Sequence, residues 1–270
     1  MSLLKSQQKP YARPQPRRAG PAHQRAAPPA RSQVEETIYA IGDVHGRLDL
    51  FERLIDLIRL DAVKLEHSGG RPILVLLGDL IDRGPQSAGC RERAMALAEE
   101  GWCTVESLKG NHEEAFELFL EDDTVGPNWM QHGGGATLTS YGVDINKEAG
   151  GKGWPGLQAA FQRVVPETHR AYVQSMKLWV GFGDYLFVHA GVRPGKPMEE
   201  QTQADLLWIR QEFLASETPY PGKVVVHGHT PMRIPDMKRW RIGIDTGAYA
   251  SGMLTAVKLR GFERVLIHAT

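Results

Sequence analysis

The sequence has little cysteine and no long hydrophobic run. Cys90 and Cys103 are the two cysteines among 270 residues, too few for a disulfide scaffold, so we expect a reducing compartment and a cytoplasmic location. No apolar stretch approaches the roughly 18 residues that a membrane-spanning helix needs. The first residues also lack the apolar core of a secretory signal. We therefore expect neither a membrane partner nor secretion.

An excess of charge of one sign is also missing. Lys and Arg together number 32, as do Asp and Glu, so the net charge is zero. Proteins that bind nucleic acid concentrate positive charge in a patch or stripe, and residues 34–270 show no such concentration. We expect no nucleic-acid partner. The hydrophobic content of 41% and the length are sufficient for a large globular core.

The first 33 residues differ in composition from the rest of the chain. They contain no acidic residue, many Pro, Ala and Gln residues, and the basic residues Lys5, Lys9, Arg13, Arg17, Arg18, Arg25 and Arg31. Such a segment cannot bury enough apolar surface to offset the entropy of ordering it. We predict that residues 1–33 form a disordered, basic Pro/Ala-rich tail. It is either a solvated extension or an arm that docks an acidic partner.

From Thr37 onward, short apolar runs alternate with segments of helical periodicity. In the first half we predict strands at 37–41, 73–77 and 102–108, and helices at 50–58, 87–100 and 113–120. This β-α-β-α-β order indicates a parallel sheet with helices on its faces. The second half is richer in strands, which we predict at 185–188, 224–226, 241–244, 254–259 and 263–268, with one helix at 204–213.

The middle of the chain, about 121–165, is rich in Gly and Pro and includes Gly133, Gly134 and Gly135. Long irregular segments in a compact domain are usually functional or disordered. We predict a loop-rich cap with short helices here, inside an insertion at about 114–185.

Five of the predicted strands end in Asp, Asn or His, and four of these ends carry flanking glycines. The stretches are GDVHG at 42–46, GDLIDRG at 78–84, GNHE at 110–113, HAG at 189–191 and HGHT at 227–230. Ligands of α/β sheets bind at the carboxyl ends of the strands. We therefore expect these side chains to converge on one crevice.

The chemistry of this residue set is that of a metal site. Asp and His are common metal ligands and Asn supplies a neutral oxygen, while the absence of Cys disfavours a structural zinc site. A mixed carboxylate and imidazole set suits Mn, Fe or Zn rather than Ca. Two such metals about 3.5–4 Å apart can bind a phosphate and generate a hydroxide nucleophile. Each stretch alone occurs by chance, but five in this order do not.

On these motifs the chain resembles the metallophosphoesterase superfamily. Within its phosphoprotein phosphatase branch, it is similar to the small bacterial and bacteriophage-lambda type serine/threonine phosphatases. The matching stretches are GDVHGR at 42–47, GDLIDRGP at 78–85, GNHE at 110–113, VHAG at 188–191, LLWIR at 206–210, HGHTP at 227–231 and IDTGA at 244–248. The resemblance implies an α/β fold, the calcineurin-like four-layer α/β/β/α sandwich of two mixed sheets, over residues 34–270.

The resemblance also implies a site for two divalent metal ions, for which we expect Mn²⁺, with Fe or Zn as alternatives. Asp79 would bridge the two metals. The other ligands would be Asp43 and His45 for the first metal, and Asn111, His189 and His229 for the second. The family's ligand follows the glycine of HGHTP, so the resemblance favours His229 over His227. Pro231 occupies a position where related nucleases often carry a further histidine.

Four more residues match catalytic positions of the family. His112 resembles the general acid that protonates the leaving oxygen, and Asp82 would orient it and stabilise its charged form. Arg83 and Arg210, the latter on a predicted helix, would bind the phosphate oxygens, because a guanidinium matches phosphate through paired hydrogen bonds.

The function implied is that of a metal-dependent phosphomonoesterase, a serine/threonine protein phosphatase acting on phosphorylated protein or peptide. A metal-bridging hydroxide would attack phosphorus in line. The alternative is a dinucleoside tetraphosphate hydrolase of the same superfamily, which shares nearly every ligand. That activity favours a base-stacking surface, which Trp129, Trp154 and Tyr141 could supply. A non-enzymatic metal-binding scaffold is disfavoured, because His112 and the phosphate-binding arginines are intact.

Several residues near the motifs fall outside these assignments. Lys109 stands where close relatives often have Arg, and lysine cannot make the planar fork of a guanidinium. The segment with Trp129 and residues 132–135 resembles a glycine motif of bacterial relatives, either shaping the cleft or forming a plain loop. Asp245 is a candidate for orienting a ligand histidine. Tyr249 lies near the same end and receives no role.

Overall fold

The computed structural model describes residues 32–63, 70–217 and 219–270. The predicted tail therefore lies outside the described residues, except for its last two positions. The first sheet consists of β1 (Val34–Ile41), β2 (Ile73–Leu76), β3 (Thr104–Ser107), β9 (Leu254–Gly261) and β10 (Glu263–Ala269). Their order is β10-β9-β1-β2-β3, with β1, β2 and β3 parallel and β9 antiparallel to β1. The predicted parallel β-α-β-α-β opening is confirmed.

The second sheet consists of β4 (Trp179–Phe182), β5 (Tyr185–Val188), β6 (Val224–His227), β7 (Asp236–Met237) and β8 (Arg241–Gly243). Their order is β4-β5-β6-β8-β7, with three parallel strands inside and an antiparallel strand at each edge. The edge strands β4 and β7 were not predicted. β7 has two residues, and β4 is a short, partly exposed run of sequence WVGF, so neither gives a strong strand signal.

Side chains that alternate between the two faces of each strand divide the core into layers. On β1, Ile38 and Ala40 face the second sheet, whereas Tyr39 and Ile41 face helices. Successive side chains of a strand point to opposite faces, so a strand buried on both sides reads as a continuous apolar run. The second sheet behaves likewise: Phe187 packs between the sheets, and Leu186 packs against helices on the outer face.

Helices cover both outer faces and complete the predicted four-layer α/β/β/α sandwich. The first sheet is covered by α1 (Leu48–Val63), α2 (Ser87–Glu99) and α3 (Asn111–Glu121), and the second by α9 (Gln203–Trp208) and α10 (Gln211–Leu214). A short helix, α11 (Ala248–Ser251), precedes β9. Within the described residues, no helix combines the length and the apolarity needed to cross a membrane.

The prediction of one continuous helix at 204–213 is wrong in one respect. It is divided into α9 and α10, and Arg210 lies at the junction with a non-helical backbone (φ −132°, ψ −92°). Apolar side chains on both sides of the break, Leu206 and Phe213, enter the same core layer, which explains the continuous periodicity. Arg210 therefore projects from a bend rather than from a helix.

The segment predicted to be loop-rich is mostly helical. It contains α4 (Gly126–Gln131), α5 (Gly134–Ser140), α6 (Ile145–Ala149), α7 (Gly153–Val164) and α8 (Glu167–Ser175), which we call the helical cap. Glycines begin three of these helices, and Pro127 lies in the first turn of α4, where a missing N–H costs nothing. The Gly and Pro residues therefore mark helix boundaries rather than loops.

Candidate metal centre

The six predicted metal ligands lie at the carboxyl ends of strands from both sheets. Strands β1, β2 and β3 lead into Asp43, His45, Asp79 and Asn111, and strands β5 and β6 lead into His189 and His229. All six side chains are buried, with at most 5% of the surface of any of them exposed. Buried polar side chains at the meeting point of two sheets are expected only where they have partners or ligands.

The backbone at this centre is in an unusual conformation. Five non-glycine residues within the described ranges have positive φ values, between 46° and 71°, and they are His45, Asp79, Asp82, Arg83 and His229. Such residues cost of order 1–3 kcal/mol each and persist where the surrounding structure holds them. All five belong to the predicted site, so the strained backbone of the described structure is concentrated there.

Two glycines allow the strand-end loops to approach each other. A Cβ atom on Gly110 would lie 2.1 Å from Asp79 Oδ1, and a Cβ atom on Gly228 would lie 2.0 Å from Asp43 Oδ1. Any side chain at either position would occupy the space of a carboxylate. The glycines of GNHE and HGHTP thus allow Asp79 and Asp43 to reach their places.

The second predicted metal position is surrounded by lone pairs. His189 donates its Nδ1 proton to Leu77 O at 2.8 Å, so Nε2 of the neutral ring carries a lone pair. That Nε2 atom lies 2.9 Å from Asn111 Oδ1 and 3.5 Å from Asp79 Oδ2. His229 Nδ1 lies 2.8 Å from the same Asn111 oxygen. A cation at this point would satisfy these lone pairs together.

The first predicted metal position has the same character. His45 donates its Nδ1 proton to Ile81 O at 2.8 Å, and its Nε2 atom faces Asp79 Oδ2 at 3.6 Å. The Asp43 carboxylate accepts the backbone N–H of His229, at 3.0 Å to Oδ2 and 3.1 Å to Oδ1. Asp79 thus lies between imidazoles of both groups, as a bridging ligand requires.

Charge at the centre also fits bound cations. Burial raises the pKa of Asp43, and the neighbouring carboxylates of Asp245 and Asp79 raise it further. Burial and Glu113 likewise raise the pKa of Asp79. Burial lowers the pKa of His45, and that of His189 to about 3, so these rings are neutral as metal ligands must be. Buried carboxylates without a nearby counter-charge are costly, and divalent cations would supply that charge.

His112 and Asp82 form a hydrogen-bonded pair beside this centre. His112 Nδ1 lies 2.6 Å from Asp82 Oδ2, and His112 Nε2 lies 3.8 Å from Asp79 Oδ2. Burial and, to a smaller extent, the Arg83 guanidinium lower the pKa of His112 to about 3. The ring therefore has one nitrogen toward Asp82 and the other toward the centre, which is the arrangement needed to pass a proton.

Asp82 is held by Trp129, which the sequence analysis named in other roles, and by Thr137 and Ser87, which it did not name. Its Oδ2 accepts a hydrogen bond from Trp129 Nε1 at 2.7 Å, and its Oδ1 accepts one from Thr137 Oγ1 at 2.5 Å. Its backbone N–H donates to Ser87 Oγ at 2.9 Å. Burial raises the pKa of Asp82 to about 7, and the bonds from Thr137 and Trp129 oppose that rise. The signals in the sequence were the motif with Trp129 and, for Thr137, a threonine two residues after a run of three glycines.

Arg83 and Tyr249 lie together at the edge of the centre. The Arg83 guanidinium lies 4.6 Å from the centroid of the Tyr249 ring, and its Nη2 atom lies 3.3 Å from His112 Nε2. The Tyr249 ring also meets His45 edge-on, with centroids 5.4 Å apart. Tyr249, which received no role from the sequence, thus positions the predicted phosphate-binding arginine.

Arg210 approaches the centre from another direction. Its charge contributes to the lowered pKa values of His112, His189 and His229, after burial as the main cause. The preceding Trp208 has its ring centroid 6.3 Å from that of His229. Arg210 is exposed, and its guanidinium makes no hydrogen bond or ion pair with any described residue. Its guanidinium is therefore available to an anion.

Several neighbouring residues have no direct place in the centre. The His227 ring packs against Phe213, with centroids 4.9 Å apart, on the far side of β6. Lys109 Nζ is paired with Glu117 Oε2 at 2.6 Å. Asp245 does not orient a histidine as predicted; it interacts with the Asp43 carboxyl and accepts the Gly247 N–H at 2.8 Å. Its carboxylate can approach Asp43 because the turn at Gly247 folds back on it.

The three aromatic residues considered for a base-stacking surface pack against the core under the cap. Trp129 is 1% exposed and its indole N–H is bonded to Asp82. Tyr141 accepts a hydrogen bond from Arg91 at 2.8 Å, and its hydroxyl is 2.8 Å from His169 Nδ1. Trp154 is half-buried. These aromatic side chains stabilise the cap, as large apolar side chains most often do.

Known proteins resemble this chain over nearly its whole described length. A sequence profile of the calcineurin-like phosphoesterase family matches residues 36–253. Serine/threonine-protein phosphatase 1 of Salmonella typhimurium is 26% identical over 83% of this chain and 92% of its own length. The asymmetrical bis(5'-nucleosyl)-tetraphosphatase PrpE of Bacillus subtilis is 27% identical over 84% of this chain and 92% of its own length. Overall identity therefore does not separate these two activities.

Solved structures share the fold. A candidate diadenosine tetraphosphatase aligns with a TM-score of 0.55 and 20% identity, covering 91% of this chain and 97% of its own. The cold-active protein-tyrosine phosphatase of a psychrophilic Shewanella species aligns with a TM-score of 0.50 and 18% identity, covering 90% of this chain and 83% of its own. At these identities the likeness concerns the architecture of the two sheets, not the substrate.

Proposed function

The chain belongs to the calcineurin-like phosphoesterase family, and we propose that it is a metal-dependent phosphomonoesterase that removes phosphate from phosphoserine and phosphothreonine in proteins or peptides. The observation that carries this proposal is the His112–Asp82 pair beside the metal centre. A serine or threonine alkoxide is a poor leaving group, so its departure depends strongly on a proton donor. A nucleotide leaves far more readily and depends on such a donor less.

The donor set of the centre fits two divalent cations. The residues that would hold them are the buried side chains Asp43, His45, Asp79, Asn111, His189 and His229. When bound, the cations supply charge neutralisation and a water nucleophile of lowered pKa. We propose Mn²⁺, with Fe or Zn as alternatives, because imidazole and carboxylate together suit these metals.

Arg83 and Arg210 would bind the phosphoryl oxygens that do not react. Arg83 is half-buried and held against Tyr249, whereas Arg210 is exposed at the bend between α9 and α10. Paired hydrogen bonds from a guanidinium fix a phosphate in one orientation and oppose its negative charge. Together the two arginines would align phosphorus for in-line attack, with the leaving oxygen toward His112.

His112 would donate its Nε2 proton to the leaving oxygen as the P–O bond breaks. Burial lowers the pKa of this ring in the free site, so its protonated form depends on nearby negative charge. A bound phosphoryl dianion beside the ring favours the protonated form, as does the carboxylate of Asp82 at Nδ1. Substrate binding and protonation of the acid are thus coupled.

A second candidate function is hydrolysis of dinucleoside tetraphosphates. It is favoured by two exposed aromatic side chains next to the centre, Trp208 with 40% and Tyr249 with 39% of their surface accessible. Trp208 lies near His229 and Tyr249 near His45, so they flank the centre. Exposed aromatic rings can stack on nucleobases. The PrpE proteins, at up to 27% identity, point the same way.

A matched assay separates the two functions. The Mn²⁺-loaded chain receives a phosphoserine peptide or diadenosine tetraphosphate at equal concentrations, with Trp208→Ala as a companion variant. We expect a higher kcat/KM for the peptide, and a loss of at most about threefold in Trp208→Ala. Preferred cleavage of the dinucleotide, lost with Trp208→Ala, would establish the second function instead.

A milder effect is expected at Tyr249. Tyr249→Ala removes the ring under the Arg83 guanidinium, an interaction worth about 0.5–1 kcal/mol at an exposed site. We expect KM for the phosphopeptide to rise about two- to fivefold, with little change in kcat. Tyr249→Phe retains the ring and serves as the control, with near wild-type kinetics. An unchanged KM in Tyr249→Ala would show that the ring does not hold Arg83 in its binding position.

The proposal includes a cytoplasmic location. Cys90 and Cys103 are both free and buried, which fits a reducing compartment.

A further inference from the structure

We propose that the helical cap supplies part of the catalytic machinery: Trp129 and Thr137 are positioning residues that hold Asp82, and through it the acid His112. This inference rests on the proposed phosphomonoesterase function. It assigns the cap a role beyond covering the cleft. Trp129 belongs to α4 and Thr137 to α5, so both helices contribute.

Both carboxylate oxygens of Asp82 accept hydrogen bonds from side chains. Oδ2 lies 2.6 Å from His112 Nδ1 and 2.7 Å from Trp129 Nε1, and Oδ1 accepts from Thr137 Oγ1 at 2.5 Å. The backbone N–H of Asp82 donates back to Thr137 Oγ1 at 3.0 Å. These bonds fix the rotation of the carboxylate and favour its ionised form. The carboxylate in turn fixes the plane of the His112 ring.

No solvent can replace a lost donor here. Asp82 and Thr137 have no exposed surface, and Trp129 is 1% exposed. A buried carboxylate oxygen without its donor keeps the cost of desolvation, so the group must take up a proton or rotate. Either change alters the partner that holds His112 in place. The acid function therefore depends on an indole N–H that is 47 residues away in sequence.

The turn between α4 and α5 is shaped for these contacts. A Cβ atom on Gly134 would lie 2.5 Å from the Trp129 ring. Gly133, with φ 103°, accepts the Arg83 backbone N–H at 3.2 Å, and a Cβ atom there would lie 2.7 Å from Arg83. Gly133 and Gly134 thus leave room for Arg83, which is predicted to bind phosphate, and for Trp129, which supports the acid His112 through Asp82. This accounts for two of the three consecutive glycines noted in the sequence.

The indole is held rigidly in the cap. Its ring centroid lies 5.0 Å from that of Phe119, 5.6 Å from Phe161 and 6.4 Å from Phe116. Phenylalanine at this position would retain most of these aromatic contacts and lose the N–H. Trp129→Phe is therefore a selective probe of the hydrogen bond to Asp82.

The proposed role predicts a dependence on the leaving group. In the reaction, water attacks phosphorus, the P–O bond to the leaving oxygen breaks, and the His112 Nε2 proton moves to that oxygen. Phenolate, whose conjugate acid has a pKa of about 10, needs the proton far more than the weakly basic 4-nitrophenolate does. Misplacing the acid should slow hydrolysis of phenyl phosphate much more than hydrolysis of 4-nitrophenyl phosphate.

The experiment compares these two aryl phosphates with the full chain loaded with Mn²⁺. We expect Trp129→Phe and Thr137→Val to lose about tenfold or more in kcat on phenyl phosphate and about twofold or less on 4-nitrophenyl phosphate. Trp154→Phe is the matched control, a half-buried cap tryptophan whose indole makes no hydrogen bond with any described residue, and its rates should stay near wild type. Equal losses on both substrates, or no loss, would overturn the positioning role.

A spectroscopic readout makes the inference independent of the substrate. In the metal-free chain, the proton between His112 Nδ1 and Asp82 should give a far-downfield NMR signal in the wild type and in Trp154→Phe. We expect this signal to shift or disappear in Trp129→Phe, and its persistence unchanged would overturn the inference. A wild-type chain that cleaves neither aryl phosphate would contradict the proposed function, and the NMR signal would then decide the positioning role by itself.

Discussion

Replacing His112 by asparagine is expected to lower kcat on a phosphoserine peptide by about 10²–10⁴-fold, the contribution that a positioned general acid makes. Asparagine is polar and of similar size but cannot release a proton to the leaving oxygen. KM should change little, because Arg83 and Arg210 remain in place to bind phosphate. The metal content should also be unchanged, since His112 is not one of the six proposed ligands.

The matched control is Asp82→Asn, alone and combined with the first change. Because the two side chains form one hydrogen-bonded unit at 2.6 Å, the double variant should be no slower than His112→Asn alone. Losses that multiply would mean that the residues act independently. If kcat of His112→Asn stays within a factor of about three of the wild-type value, His112 is not the general acid.

Asp79→Asn is expected to abolish binding of at least one metal ion and to lower activity by about 10³-fold or more. The Asp79 Oδ2 atom lies 3.6 Å from His45 Nε2 and 3.5 Å from His189 Nε2, between the two proposed positions. An amide cannot bridge two cations as a carboxylate does. Metal ions supply several kcal/mol of transition-state stabilisation, and each 1.36 kcal/mol is about tenfold in rate. Metal content and kcat, measured on the same sample, test this.

The same substitution should have the opposite effect on the metal-free protein. Burial and Glu113 raise the pKa of Asp79 in the fold, so its ionised form at neutral pH destabilises the folded state relative to the unfolded one. Asparagine removes this buried charge. The variant should therefore melt at a higher temperature than the wild type in chelator, and at a lower temperature than the wild type with excess Mn²⁺. A lower melting temperature in chelator would contradict the charge argument.

The parts of the fold that could be predicted are those marked by neighbouring residues in the sequence. The apolar run of β1 and the Gly-Asp that follows it place Asp43 at a strand end, and parallel strands bring such ends together. Fold class and the location of the centre follow from these features. The cap was less predictable, because Gly126 and Gly153 start helices where glycine more often marks a loop.

The contacts that support the site could not be predicted from sequence. Trp129 is 47 residues from Asp82 in the sequence, and Thr137 is 55 residues from it. Hydrophobic periodicity does not reveal contacts between residues so far apart. Tyr249 is an exposed residue on a short helix, with no motif to mark its contact with Arg83. Tertiary packing alone creates these interactions.

The most direct test of the central claim is phosphate release from a phosphoserine peptide as Mn²⁺ is titrated into the metal-free chain. The account predicts no release without metal and full activity only after two equivalents per chain have bound, because Asp79 Oδ2 lies between His45 Nε2 and His189 Nε2. Full activity in the metal-free chain, or with a single bound equivalent, would contradict a dinuclear phosphomonoesterase.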